Sequence, residues 1–63
     1  MSYLKTLSNA DLLEVLGYRQ SDFERRERRA KESGLRSDRA LADEAYTSLH
    51  IVREEIKARG VAA

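Results

Sequence analysis

The chain has 63 residues, 37% of them charged and 6% aromatic, with 12 Lys/Arg against 11 Asp/Glu for a net charge of +1. That size is one domain, 1–63, with a marginal core, because so short a chain buries only about 60% of its unfolded surface. It has no cysteine, which excludes a disulfide staple and a thiolate metal site, and its near-zero net charge steers it toward no particular partner.

Residues 1–7 offer Tyr3, Leu4 and Leu7, which are expected to pack back on the core. Ser8-Asn9-Ala10-Asp11 has the form of a capping box, and Leu7 with Leu12 can make the accompanying hydrophobic staple. A helix then runs through Leu12, Leu13, Val15 and Leu16. Gly17 can close it in the left-handed conformation, with Tyr18 against Leu13. Ser21-Asp22-Phe23-Glu24 repeats the box, and Gly34 closes that helix. Ser37 can cap a third helix with Asp38 in its first turn, and Gly60 closes it with Val61 against Ile56. The spacing thus predicts helices over 9–16, 22–33 and 38–59, with residues 61–63 frayed. The fold class is all-α: a small three-helix domain of a short helix, a basic helix and a long amphipathic helix. The alternative runs one helix through Gly17, at a cost of about 1 kcal/mol. That gives a two-helix hairpin of the kind that forms a dimeric four-helix bundle.

The last helix carries the longest amphipathic pattern. Leu41, Ala42, Ala45, Leu49, Val52 and Ile56 fall three or four apart and form one stripe. A stripe this long on a chain this small predicts self-association through Leu41, Ala45, Leu49, Val52 and Ile56, hence a homo-oligomer.

The middle helix is basic and has almost no apolar face. Residues 24–37 carry six Lys/Arg against three acids. One reading is a solvated helix held by i,i+4 pairs such as Glu24 with Arg28 and Glu27 with Lys31. The other is nucleic-acid contact. Leu12, Leu16, Gly17, Tyr18 and Phe23 have the spacing of a helix-turn-helix, which would send the basic helix into a groove. The contact residues, for a protein or a nucleic acid, are Tyr18, Arg19, Gln20, Arg25, Arg28 and Arg29, since Tyr and Arg dominate interfaces and Arg binds phosphate or guanine bidentately. Leu13-Glu14-Val15-Leu16-Gly17-Tyr18 also resembles the first-loop signature of ubiquitin-associated domains, which bind proteins through that loop. The resemblance covers those six residues only. The apolar pair such domains need in the next helix is replaced by Arg26 and Glu27, so the family is not carried over.

Nothing assembles into reaction chemistry. His50 is the single histidine, without a second ligand or a base partner at useful spacing. The serines lack a triad base, the three glycines are scattered rather than gathered into a phosphate loop, and the adjacent acids Asp43-Glu44 and Glu54-Glu55 diverge on a helix. No catalytic, metal-ligating or cofactor-binding residue is expected. No apolar run approaches the roughly 20 residues of a membrane span, and the N-terminus lacks the form of a secretory signal, so a cytoplasmic location and no membrane partner are expected. The functional expectation is a non-enzymatic helical interaction protein acting on a larger protein partner as adaptor, regulator or inhibitor. The alternative is a DNA- or RNA-binding regulator using helix 22–33.

Overall fold

The structure, a computed structural model, describes residues 3–61. It is all-helical: a 3₁₀ turn at Tyr3–Thr6, helix α1 at Asn9–Ser33 and helix α2 at Arg36–Arg59, with no strand among the described residues. The two long helices pack antiparallel as a hairpin.

Ser8 caps α1 as its sequence implies: the hydroxyl accepts from the Asp11 amide at 3.1 Å. The expected break at Gly17 does not occur. Residues 17 to 22 continue α1, so Ser21-Asp22-Phe23-Glu24 is not a cap but the middle of a 25-residue helix. The reason is the face on either side of the glycine. Leu12 and Leu16 precede it and Phe23 follows on the same side, and all three turn toward α2. Shared burial offsets the propensity cost of one glycine. A Cβ at Gly17 would meet nothing within 4 Å, so the glycine lies away from the seam.

Gly34 ends α1 in the left-handed conformation (φ 67°, ψ 9°), its amide donating to the Ala30 carbonyl at 3.0 Å. This is the single-bond αL ending. The turn to α2 follows at once. Ser37 is not the cap of that helix: α2 starts at Arg36, and its N-cap is Leu35, extended and without a side-chain hydrogen bond. Gly60 closes α2 (φ 70°) with its amide on Lys57 and the Val61 amide on Ile56 at 3.2 Å. That is the Schellman pattern expected from the sequence. Val61 is half-buried against the core, and residues 62 and 63 lie outside the described residues.

The seam has heptad spacing on both helices. In α1 the inward residues are Leu12, Leu16, Arg19, Phe23, Arg26 and Ala30; in α2 they are Asp38, Ala42, Ala45, Leu49, Val52, Ile56 and Arg59. Each series alternates steps of four and three, the 3.5-residue repeat that keeps two helices facing each other. The apolar side chains concentrate at the open end, where Leu4, Leu12, Val52 and Ile56 form the core cluster. Toward the turn the seam thins to Ala30, Ala42 and Ala45. The described residues form a single layer. It measures 37 × 22 × 14 Å, one helix thick. Its radius of gyration, 13.1 Å, exceeds the roughly 11 Å of a compact chain of this length.

Candidate functional site

The seam leaves two flanks, and they differ. The 3₁₀ turn covers one at the open end of the hairpin, and farther along that flank lies a shallow groove lined by Asp22, Arg26, Leu41, Glu44, Ala45 and Ser48. Leu4 is buried between the helices, and Arg59 donates to the carbonyls of Leu4 and Leu7 at 2.8 Å each and to Asn9 Oδ1 at 3.0 Å. Arg19 belongs to this flank. Its Nη1 donates to the Ser48 carbonyl at 2.8 Å and its Nη2 to the Tyr3 hydroxyl at 3.4 Å. A guanidinium bonded across the hairpin is not free to read a ligand.

The other flank is open. Across it Arg53 donates to Gln20 Oε1 at 3.3 Å, Phe23 meets the Tyr46 ring edge-on at 5.5 Å, and Arg39 forks onto Glu27 at 2.7 and 3.4 Å. Near its end lies a groove of about 510 Å³ lined by Leu16, Gln20, Arg53, Ile56, Lys57 and Val61. Its floor is apolar and its rim carries two cations. Among the described residues neither cation has a carboxylate partner: Arg53 is bonded only to Gln20, and the Lys57 side chain to nothing. Arg53 and Lys57 are also a like-charged i,i+4 pair, which weakens a helix by a few tenths of a kcal/mol.

The contact residues expected from the sequence are not gathered into one site. Tyr18 is 78% exposed and points outward from α1. Arg19 and Gln20 sit on opposite flanks. Arg25, Arg28 and Arg29 share the outer face of α1, beside a shallow groove of about 450 Å³ lined also by Asp22, Arg26 and Glu32. Arg25 pairs with Asp22 at 3.1 Å and Arg29 with Asp38 at 3.7 Å, while the Arg28 side chain has no partner among the described residues. The Asp22 carboxyl is held below its ordinary range, first by hydrogen bonds from Arg26 and then by those from Arg25. The Arg39 fork lowers Glu27 in the same way, and Glu27 in turn raises Arg39.

The stripe assigned to self-association lies elsewhere than expected. Ala45, Leu49, Val52 and Ile56 are buried inside the hairpin, against α1 and the 3₁₀ turn, and only Leu41 is exposed, at 43%. Antiparallel α1 takes the place expected for a second copy. The turn that a helix-turn-helix needs after Leu16 is also missing, since α1 is continuous there, and the six residues resembling a ubiquitin-associated loop are helical for the same reason.

Charge is polarised along the rod. From Arg25 to Arg39, the end with the turn, seven Lys/Arg stand against three acids. The remainder carries five against eight. His50 stacks on Tyr46 at 6.4 Å and lies 3.6 Å from Glu54. No group of three metal-ligating side chains occurs among the described residues, and no helix there is long and apolar enough to cross a membrane. No family model, curated protein or solved structure matches the chain.

Sequence reasoning missed Arg53, Lys57, Leu16 and Val61 as one surface. The signal was available: two cations at i,i+4, beside Ile56 and Val61.

Proposed function

We propose that the protein is a non-enzymatic helical interaction module that self-associates and acts by binding a larger protein partner. The observation that carries this reading is the single-layer shape. Stable domains bury helices between two layers, and this chain supplies one, 14 Å thick. It exposes 4755 Å², against about 4100 Å² for a compact monomer of its mass. A slab with shallow, open grooves encloses no space in which a reaction could be shielded from water, but it offers two broad faces.

The basic end favours a second reading, contact with a nucleic-acid backbone. Arg25, Arg28 and Arg29 lie on one exposed face, and seven cations surround the turn. With α1 unbroken, the contact is to phosphates rather than by insertion of a recognition helix.

Affinity capture with the tagged chain, with and without nuclease, separates the two. Nuclease-resistant capture of a partner that Tyr18→Ala or Arg25→Ala weakens supports the protein reading. Nuclease-sensitive capture, with salt-dependent DNA retention lost in Arg28→Ala/Arg29→Ala, replaces it with the second.

A further inference from the structure

We infer that the groove between Leu16 and Val61 is the docking site for a helix of a partner protein. That helix lays aliphatic side chains on the floor and sets two carboxylates, one turn apart, against Arg53 and Lys57. This rests on the reading of the protein as a module that binds a larger protein, and it names the chemistry of the surface bound.

Charge selects the occupant. Among the described residues, the cations without a carboxylate partner fall in three places. Arg19 is bonded across the hairpin to the Ser48 carbonyl, and Arg28 and Arg36 stand at the basic end by the turn. The other two, Arg53 and Lys57, stand together on the rim of this groove. The acid next to Arg53 in sequence, Glu54, lies against His50 at 3.6 Å. The grooves elsewhere differ. Asp22 and Glu32 line the one beside Arg25, and Asp22 and Glu44 line the one beside Leu41. Here the lining holds two cations, one amide and three aliphatic side chains, with no acid. A cationic occupant adds to the repulsion between Arg53 and Lys57, and a neutral one leaves it in place. Carboxylates relieve it.

Shape selects a helix. Both helices build the groove, Leu16 and Gln20 from α1 and Arg53, Ile56 and Lys57 from α2, with Val61 just beyond. It is open along the seam, so a small ligand stays wet on one side, whereas pockets that hold such ligands bury about 70–90% of their surface. A helix lying along the seam covers floor and rim together. It also supplies the second layer that a hairpin 14 Å thick lacks. Residues at i,i+4 are about 5–6 Å apart at Cβ. Arg53 and Lys57 have that spacing, and so do two carboxylates one turn apart on the incoming helix.

The test is a titration of the isotope-labelled chain with an amphipathic helical peptide. The peptide carries Leu at i, i+3 and i+7 and a Glu pair at i,i+4 beside that stripe, and a second version has Gln for both Glu. Arg53 and Lys57 are exposed, so Arg53→Gln/Lys57→Gln keeps the fold, which circular dichroism verifies. The expected result is saturable binding of the Glu peptide, with methyl shifts centred on Leu16, Ile56 and Val61. Affinity falls about three- to tenfold when either the peptide or the chain is neutralised. The two losses do not add, because each removes the same pairs. No saturation below about 1 mM, shifts centred on Arg25, Arg28 and Arg29, or losses that add in full each overturn the groove. The same methyl shifts on concentrating the chain alone make a second copy the occupant, and on adding laurate in preference to the peptide they make it a fatty acid. Either result overturns the partner helix. Nuclease-resistant capture that Arg53→Gln/Lys57→Gln leaves unchanged overturns the groove while the protein reading stands. Nuclease-sensitive capture overturns that reading and this inference with it.

Discussion

Arg59, at the end of α2, donates from Nη2 to the Leu4 carbonyl at 2.8 Å, joining residues 55 positions apart. The same guanidinium reaches the Leu7 carbonyl, Asn9 Oδ1 and Glu55 Oε2. It is largely buried, with its side chain 19% exposed. One planar fork thus fixes the 3₁₀ turn, the start of α1 and the end of α2 together. Arg59→Lys keeps the charge but loses the fork. The expected cost is about 1.5–3 kcal/mol, read as a lower urea midpoint, with protection from hydrogen exchange lost first around Leu4 and Leu7.

Gly17 lies inside α1, where a glycine costs helix stability. Its Cβ position is open and its φ is helical, so Gly17→Ala is expected to stabilise the isolated hairpin by about 1 kcal/mol. A higher midpoint in thermal melts of the Gly17→Ala chain checks this. Gly17→Pro should break α1 and lower helicity.

The start of α2 is under-capped. Leu35 is the N-cap, 58% exposed and without a capping side chain. Leu35→Ser supplies the missing acceptor and is expected to add about 1 kcal/mol. Ser37→Ala, at the position the sequence nominates as the cap, should change the melting temperature little, because its hydroxyl makes no hydrogen bond among the described residues.

Asp22 gives stability a defined acid limb. Arg26 donates to its two oxygens at 3.2 and 3.0 Å and Arg25 to one at 3.1 Å, which holds the folded-state value below the ordinary 3.8. The unfolded chain therefore binds the proton more readily. The contribution is complete above about pH 4 and is lost as pH falls through the lower, folded value. Glu27, lowered by Arg39, acts in the same direction. Melting temperatures of wild type and Asp22→Asn should differ most near neutrality and converge in acid.

Three of the four helix ends were legible because caps are local. Ser8, Gly34 and Gly60 act where their sequence places them, and so does the contact of Val61 with Ile56. The apolar stripe of α2 was legible because five of its six members, from Ala42 to Ile56, are small or aliphatic and buried. The stripe of α1 was not, since Arg19 and Arg26 occupy two of its seam positions. A guanidinium can lie in a helix seam when its stem packs and its head finds an oxygen. Arg19 finds the Ser48 carbonyl and Arg26 finds Asp22. Composition alone therefore presented residues 22–33 as a solvated helix with no partner, and Gly17, beside it, as a natural stop. Once the two arginines count as inward residues, the steps of four and three run unbroken from Leu12 to Ala30, and the continuous helix follows. The open flank was harder to see, because Gln20, Glu27, Arg39 and Arg53 bridge it and carry no hydrophobic period.

Only eight of the described side chains are sheltered from water, and three of those are alanine. Selection for folding therefore constrains few letters of the sequence. A saturation scan scored for solubility should tolerate most replacements outside the seam, the two terminal glycines and Arg59. Over generations such a protein can exchange nearly all of its surface while the rhythm of its seam persists, so common descent among chains of this kind would be written in spacing rather than in identity.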